Sequence, residues 1–229
     1  LEAHGRTVVN GSSALAMELS KVRQYTRLRE AGILVPDTRV VVAPDSAGML
    51  GKAASGLGWP CIVKPNRGGK GLGVVLLSDS SDLEQYWETA YDPGPDSTLL
   101  LQRYVEPASG VVIRNEFVGG RHLYSVRVDS SGGFELCPAD ACEVPTVADG
   151  LPFSESGLNV AGGADAADPS LPDDPRFEVL RDFEPELRPA YEQFLVAQGI
   201  DIAGIEMLRG PDDRWYCLLY TSDAADEKR

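Results

Sequence analysis

Four stretches of the chain place apolar residues at the three- and four-residue spacing of an amphipathic helix. In the clearest one, Val22, Tyr25 and Leu28 share a stripe that starts after Ser20 and stops at Gly32. Ser20 suits the N-cap position because its hydroxyl can accept hydrogen bonds from the unpaired N–H groups of the first turn. The other three predicted helices cover 47–56, 81–90 and 187–198, and the second of them opens on a Ser-Asp-Leu-Glu capping box.

The remaining apolar runs are short and predict β-strands, because they alternate with polar residues or are bounded by glycine, proline and aspartate. Two of them, 111–118 and 121–129, are joined by Gly119 and Gly120 and predict a hairpin. The others cover 38–43, 61–63, 74–77, 98–105, 134–137 and 202–209, with a return strand beginning at 214. Helices and strands follow one another in a mixed order, so the predicted fold class is α+β.

Two segments lack this patterning. Residues 1–13 begin abruptly and are interpreted as the remnant of a preceding N-terminal domain. Residues 143–175 are rich in Pro, Gly, Ala and Asp with few large apolar groups, which predicts a long loop with limited order.

Charge and composition narrow the functional classes. The 229-residue chain has a formal net charge of −14, whereas a nucleic-acid-binding surface needs a basic patch. No apolar run is long enough for a membrane-spanning helix and the N-terminus has no signal-peptide pattern, so we expect a cytoplasmic protein that binds neither membranes nor nucleic acids. The four cysteines form no CxxC pair, which favours reduced thiols over structural zinc.

The most informative polar pattern lies in the loop between the predicted strands 61–63 and 74–77. This loop contains Gly68, Gly69, Gly71 and Gly73, and the missing Cβ atoms let backbone N–H groups converge on one object. Lysines and an arginine accompany the glycines, so the natural object is an anion. The spacing matches neither a Walker A loop nor a dinucleotide-binding fingerprint. A glycine-rich hairpin turn with solvated charges fits the same residues.

Two charged residues lie where the predicted local structure makes a charge unfavourable. Lys21 falls in the first turn of the helix after Ser20, where the helix dipole opposes a cation, so it is either solvated or compensated by an anion. Glu206 lies in the strand 202–209, on the same face as Ile202 and Leu208. A buried carboxylate there needs a compensating lysine, arginine or metal ion.

Five segments, taken in their order along the chain, resemble the ATP-grasp superfamily and within it the RimK-like carboxylate–amine ligases, which include the alpha-L-glutamate ligases. The segments are SKVRQYTRLREAGILVPDT (20–38), PCIVKPNRGGKGLGVVLL (60–77), LLLQRYVEP (99–107), IRNEFVGGRHLYSVRV (113–128) and IDIAGIEML (200–208). The resemblance implies an α+β ATP-grasp fold, in which two subdomains clasp the nucleotide. They would cover 14–105 and 106–216, with the long loop in the second.

The resemblance also implies which residues bind ATP. Lys21 and Lys64 match the two lysines that contact the phosphates in this family, which would explain a lysine at the start of a helix. The adenine is expected to contact the segment from Gln102 to Val105, largely through backbone groups of Arg103 and Val105. The mobile lid over the phosphates corresponds to the four loop glycines, Gly68, Gly69, Gly71 and Gly73.

The same resemblance implies the chemistry. Arg127 matches the arginine that steadies an acyl-phosphate, and Glu206 matches the first carboxylate of the magnesium site. In such an enzyme a carboxylate attacks the γ-phosphate of ATP to give an acyl-phosphate and ADP, and an amine then displaces phosphate to form an amide. The implied cofactors are ATP and Mg²⁺, and the implied partners are small-molecule or peptide carboxylates and amines.

The C-terminal end departs from the family pattern. A second metal motif, an acid followed two residues later by asparagine, is expected after Tyr216 and does not occur there. Residues 217–227 instead resemble the translation of a sequencing-library adapter, so we expect 217–229 to be an artefactual tail and the chain to be a fragment truncated at both ends.

Other functions fit parts of the same pattern. A non-catalytic nucleotide-binding module could keep the ATP-grasp fold and lose the second metal motif, whereas a ligase needs that motif. A biotin-dependent carboxylase-like or D-alanine ligase-like enzyme would need substrate-binding elements that the sequence does not show. The sequence identifies neither the carboxylate nor the amine.

Overall fold

The computed structural model describes residues 1–68, 73–92, 94–130, 177–181 and 184–221. A 3-10 turn at Glu2–His4 precedes five α-helices in the described part. They are α1 (Ser12–Glu18), α2 (Lys21–Glu30), α3 (Ala47–Ser55), α4 (Ser80–Thr89) and α5 (Arg188–Gln198). The strands are β1 (Thr38–Val42), β2 (Cys61–Pro65), β3 (Val75–Leu77), β4 (Thr98–Arg103), β5 (Val111–Val118), β6 (Arg121–Asp129), β7 (Phe177–Leu180), β8 (Ile202–Arg209) and β9 (Trp215–Thr221).

The first sheet is antiparallel with strand order β1-β4-β2-β3. Alternate residues of β4 face opposite sides of it, so Leu99 and Leu101 join the core formed with α3 and α4, while Leu100 joins the core that includes α2. Because both faces are covered by helices, β4 is apolar along almost its whole length.

The second sheet is also antiparallel, with strand order β7-β6-β5-β8-β9. One face carries Ile113 and Ile205 into a core with Phe194 of α5, and this core is continuous with the one beneath α2. The other face forms a small apolar cluster of Val112, Leu208 and Val105, the last of which follows β4. The two sheets therefore meet near the end of β4.

Most predicted elements are confirmed, including the hairpin of β5 and β6, and so is the α+β class. The Ser20 hydroxyl caps α2 by accepting a hydrogen bond from the Arg23 N–H at 3.3 Å. The predicted capping box of α4 is wrong by two residues, because the Asp79 carboxylate accepts from the N–H groups of Ser81 and Asp82 and starts the helix earlier.

Several features of the described structure have no counterpart in the sequence predictions. Helix α1 and strand β7 were not predicted, and β9 continues beyond Tyr216 to Thr221, with Cys217 fully buried in the core. The predicted strand 134–137 and the predicted loop 143–175 lie outside the described residues. In the part of the chain that is described, no helix is both long enough and apolar enough to cross a membrane.

Candidate active site

Lys64 lies in the middle of β2 and is buried, with 8% of its surface exposed. Its side chain lies on the face of the first sheet that α2 covers, since it stands opposite Leu100 of β4. There its Nζ donates a hydrogen bond to the Tyr25 hydroxyl at 2.6 Å and lies 5.1 Å from the centre of the Tyr25 ring.

Burial makes the Lys64 ammonium easy to deprotonate. Loss of hydration lowers its pKa from 10.5 to about 8, and electrostatic interactions with Glu206 and Cys217 oppose this shift without cancelling it. An anion brought to Lys64 would favour the charged form, because it would supply the compensation that the surrounding protein only partly provides.

Lys21 is the first residue of α2 and is as buried as Lys64, with 6% exposure. Its Nζ donates to the main-chain oxygen of Gly68 at 2.7 Å, at the start of the glycine-rich loop. Burial is the main cause that lowers the Lys21 pKa to about 8, the positive charge of Lys64 is the second cause, and Asp96 opposes both. The structure thus brings the two predicted phosphate lysines into electrostatic contact.

Asn66 connects these elements, and the sequence analysis did not identify it. Its Oδ1 accepts hydrogen bonds from the Ser20 hydroxyl at 3.1 Å and from the Val22 N–H at 3.0 Å. Its Nδ2 donates to an Asp96 carboxylate oxygen at 2.5 Å, and its main-chain oxygen accepts from the Lys21 N–H at 3.2 Å. Asn66 therefore fixes the start of α2 against the end of β2. A polar residue directly after an apolar strand was the available signal.

The glycine-rich loop is described only at its two ends. Gly68 and Gly73 have φ angles of 131° and 71°, which residues other than glycine rarely adopt. At Gly73 a Cβ atom would also lie 3.2 Å from the Pro65 ring, tighter than ordinary contact. Gly69 and Gly71 lie outside the described residues.

Glu206 lies in β8 with only 6% exposure, on the face of the second sheet predicted from strand alternation. It stands directly opposite Arg114 of β5, and the Arg114 Nη1 is 3.4 Å from its Oε1. The Arg114 Nε also pairs with the Glu116 carboxylate at 2.6 Å. A Cβ atom at Gly204 would collide with the Arg114 guanidinium, so the glycine makes room for it.

The Glu206 carboxyl holds its proton more tightly than an exposed glutamate. Burial raises its pKa to about 7, and the positive charges of Arg114 and Lys64 moderate the increase. Of the three compensating groups that the sequence left open, the arginine and the lysine are both present, the arginine in direct contact and the lysine through its field.

The structure does not place Arg127 beside Glu206. Arg127 of β6 stands opposite Ile113 of β5, one residue out of step with Arg114, so its side chain belongs to the other face of the sheet. Its Nη1 is 3.7 Å from the Glu178 carboxylate of β7, and both side chains are about half exposed. The arginine that the sheet register brings to Glu206 is Arg114, and a role for Arg127 at an acyl-phosphate stays a prediction.

The predicted adenine segment lies where the two sheets meet. Gln102 is buried and its Nε2 donates to the Thr38 hydroxyl at 2.9 Å, within the first sheet. The Arg103 N–H donates to the Asp37 main-chain oxygen at 2.8 Å, and the Arg103 guanidinium pairs with the Asp37 carboxylate at 3.2 Å. Val105 is buried against the apolar face of the second sheet. A role of this segment in binding adenine stays a prediction.

The side chains fit a magnesium ion in part. A glutamate carboxylate is the hard oxygen ligand that Mg²⁺ prefers, and Glu206 is a buried one that Arg114 and Lys64 compensate within the described part of the chain. Among the described residues, no three His, Cys, Asp or Glu side chains lie close enough together to form a metal-binding group. Glu206 would therefore bind Mg²⁺ together with ligands from the substrate phosphates, in the manner usual for this ion.

Sequence comparison identifies the family. The family model for the RimK-like ATP-grasp domain matches residues 19–134. A probable alpha-L-glutamate ligase from Marinomonas sp. (strain MWYL1) is 29% identical over 132 residues, which are 58% of this chain and 42% of that protein. A probable alpha-L-glutamate ligase from Methanococcoides burtonii is 26% identical over 208 residues, 91% of this chain and 57% of the relative. The chain spans about two fifths of the Marinomonas protein's length.

Solved structures show the same fold. The RimK domain ATP-grasp protein from Sphaerobacter thermophilus superposes with a TM-score of 0.64 at 16% identity, covering 97% of this chain and 66% of that one. The ATP-grasp ligase PsnB, solved with a minimal precursor, Mg and ADP, superposes with a TM-score of 0.57 at 16% identity, covering 96% and 55% of the two chains. On the strength of the family match and this shared fold, the chain belongs to the RimK-like ATP-grasp family.

Proposed function

We propose that this chain is the nucleotide-binding part of an ATP-dependent carboxylate–amine ligase that forms an amide through an acyl-phosphate. The observation that carries the proposal is the convergence of Lys21 and Lys64, two buried ammonium groups from different elements, with Glu206 in the field of Lys64. Family membership and the ligase names of the relatives support it. Because the reaction consumes ATP, we place it in the cytoplasm.

The two lysines are suited to a polyphosphate. Their like charges disfavour each other and burial disfavours both, and the nearby carboxyl groups of Asp96 and Glu206 offset this only in part. A triphosphate lying along the glycine-rich loop would satisfy both ammonium groups, with backbone N–H groups of the loop as further donors. Lys21 would exchange its present acceptor, the Gly68 main-chain oxygen, for a phosphate oxygen.

The proposed reaction needs little covalent chemistry from the protein. A substrate carboxylate oxygen bonds to the γ-phosphorus as the bond to ADP breaks, and an amine then attacks the acyl carbon, releasing phosphate and a proton. Lys21 and Lys64 would hold the phosphates in line for the first step. Arg114, already beside Glu206, presents a guanidinium where negative charge accumulates. Mg²⁺ bound at Glu206 would shield the phosphate charges.

Nucleotide binding is the first test, measured by isothermal titration of the chain with Mg-ATP. We expect Lys64→Ala to weaken binding by about tenfold or more, because a hydrogen bond to a charged group contributes roughly 1.5–3 kcal/mol. Lys52→Ala is the matched control, since Lys52 is an exposed lysine of α3. Unchanged affinity in Lys64→Ala would remove Lys64 from the phosphate site.

Turnover is tested by trapping the acyl-phosphate. The chain is incubated with Mg-ATP, hydroxylamine and one carboxylate at a time, beginning with L-glutamate and short peptides that end in glutamate, because the relatives are named as glutamate ligases. Release of ADP together with a hydroxamate, both dependent on the carboxylate, supports the ligase proposal.

The second candidate is a non-catalytic nucleotide-binding module. The missing acid-x-Asn motif after Tyr216 favours it, because a binding module can lose that metal motif whereas a ligase of this family needs it. Tight Mg-ATP binding with no carboxylate-dependent ADP release for any carboxylate would favour the module over the ligase.

A further inference from the structure

We propose that Tyr25 is a positioning residue for the nucleotide site: its hydroxyl holds the Lys64 ammonium in place and ties it to β9 of the second sheet. The inference rests on the proposed role of Lys64 as a phosphate ligand. It adds to that role a residue of α2 that would not contact the nucleotide itself.

The hydrogen bonds run in one direction through the Tyr25 oxygen. Lys64 Nζ donates to Tyr25 Oη at 2.6 Å, and Tyr25 Oη donates its proton to the Leu218 main-chain oxygen at 2.6 Å. Because the phenol proton is committed to Leu218, the oxygen serves as an acceptor, and it accepts from the Lys64 ammonium and from the Gln102 side chain. The acceptor on β9 is a main-chain atom, so the arrangement requires a strand docked at this position and not the particular residues after 216, which the sequence analysis expects to be an artefactual tail.

Tyr25 lies where α2 passes between the two sheets. It is 4% exposed and belongs to the core shared by Leu100 of the first sheet and Met207 of the second. Strand β9 is held next to it by an independent contact, in which the Cys217 N–H donates to the Leu34 main-chain oxygen at 2.8 Å. The Tyr25 hydroxyl therefore links a strand of each sheet through one atom.

The link matters because Lys64 has a long and flexible side chain in a buried site. The charged or titratable groups that act on it are Tyr25 in direct contact, and Glu206, Cys217 and Lys21 through their fields. Of these, Tyr25 is the one to which Nζ donates at 2.6 Å. Holding the ammonium in one rotamer before the nucleotide arrives removes an ordering cost from binding, which is the usual benefit of preorganisation.

The test compares two ligands in three proteins by isothermal titration. Adenosine and ADP share the base and the ribose, and ADP alone carries phosphates for Lys64. In Tyr25→Phe, which keeps the ring and removes the hydroxyl, we expect the Kd of ADP to rise about tenfold and the Kd of adenosine to stay unchanged. Tyr191→Phe is the matched control, because Tyr191 is an equally buried tyrosine of α5 in the same core. It should change neither Kd.

Three outcomes overturn the inference. They are an unchanged or lower Kd of ADP in Tyr25→Phe, an equal loss of affinity for both ligands, and an equal loss of ADP affinity in Tyr191→Phe. The last two outcomes would mean that removing a tyrosine hydroxyl weakens binding by disturbing the packing of this core and not by releasing Lys64. If the unsubstituted chain did not bind ADP, both the proposed function and the inference would fail. If it binds ADP but Tyr25→Phe behaves as in one of these outcomes, the inference about Tyr25 alone fails.

A second set of variants keeps the test independent of any single substitution. In a Lys64→Met background, Tyr25→Phe should cause no further loss of ADP affinity, because the group it positions is gone. A merely structural role would instead give the same fold-loss in both backgrounds. The melting temperatures of all four proteins, measured without ligand, separate the loss of folding from the loss of binding.

Discussion

Arg114 of β5 and Glu206 of β8 stand directly opposite each other in the second sheet, with 3.4 Å between Nη1 and Oε1 and side chains that are 14% and 8% exposed. The same guanidinium pairs with Glu116 through its Nε. One arginine thus compensates two largely buried carboxylates on the face proposed to meet the nucleotide. This relationship sets both the stability of the sheet and the charge of the site.

Replacing Arg114 with methionine should therefore destabilise the fold strongly. The variant keeps the apolar stem but leaves Glu206 and Glu116 close together without their shared cation, and breaking a buried pair in this way costs roughly 3–5 kcal/mol. Equilibrium unfolding in urea, followed by circular dichroism, measures the change in the free energy of unfolding.

Arg127→Met is the matched control for that experiment. Arg127 lies on the neighbouring strand and pairs with Glu178 at 3.7 Å, but 43% of its side chain is exposed. An exposed pair contributes roughly 0–1 kcal/mol, so this variant should unfold almost as the unsubstituted chain does. Equal losses in the two variants would contradict the assignment of Arg114 as the buried partner of Glu206.

Gly204→Ala should disturb the same pair with a single methyl group. An alanine Cβ would collide with the Arg114 guanidinium, which would have to move away from its present place beside Glu206. We expect the Mg²⁺-dependent part of ATP binding to change, measured as the ratio of Kd values with and without Mg²⁺. Gly51→Ala is the control, because a Cβ there meets nothing within 4 Å and alanine favours helix α3. A Kd ratio that changes equally in both variants would rule out the steric explanation.

Strand alternation in the sequence was sufficient to predict that Glu206 is buried, but not to identify its partner. The partner depends on strand order and register between residues 92 apart in the chain: β5 and not β6 pairs with β8, and Arg127 faces the other side of the sheet. For the same reason Tyr25 was predicted only as part of the apolar stripe of α2. Its contact with Lys64 joins residues 39 apart, which no local pattern contains.

At Lys21, by contrast, a conflict visible in the local sequence pointed to an unusual position. A lysine at the first position of a helix opposes the helix dipole, and the sequence analysis left open whether Lys21 is solvated or compensated by an anion. The structure shows that Lys21 is buried near Lys64 and donates to a loop carbonyl, so the conflict is present in the folded chain and is not relieved by solvent. Such a conflict between a residue and its local structure is expected at functional positions, and the role of Lys21 in binding phosphate stays a prediction.

Asn66→Ala should destabilise the junction of α2 and β2. The substitution removes the acceptor of the Ser20 hydroxyl and the Val22 N–H, and it removes the donor to Asp96, whose other carboxylate oxygen is buried without a partner within the described part of the chain. At about 1 kcal/mol for each hydrogen bond, we expect the free energy of unfolding to fall by about 2–3 kcal/mol.

Ser46→Ala is a suitable comparison for Asn66→Ala in the same urea experiment. Ser46 is the N-cap residue of α3, but among the described residues its hydroxyl caps no helix N–H group and donates to the adjacent Asp45 carboxylate at 3.0 Å. Its loss should cost less than about 0.5 kcal/mol, as for an ordinary surface substitution. An Asn66→Ala variant as stable as Ser46→Ala would show that the polar contacts of Asn66 do not hold the junction.

The pH dependence of nucleotide binding follows from the two lysines. Both have pKa values lowered to about 8 by burial, so in the free protein they lose their protons well below the usual value of 10.5. Phosphate binds the charged forms, so affinity should be full below pH 8 and fall as the pH rises through 8. The free energy of unfolding should instead increase as the pH rises from 8 to 10.5. In this range the unfolded chain binds more protons than the folded one, so removing protons favours the folded state.

Titration calorimetry with ADP from pH 6.5 to 9.5, within the pH range where the fold is intact by circular dichroism, measures this dependence. One lysine alone limits the loss to at most tenfold per pH unit above its pKa, and two acting together make the decline steeper. Lys21→Arg should flatten the profile toward the single-lysine slope, because arginine stays charged throughout. An affinity that is constant across pH 8 in the unsubstituted chain would mean that neither buried ammonium faces the phosphates, and the assignment of Lys21 and Lys64 to the nucleotide site would fail.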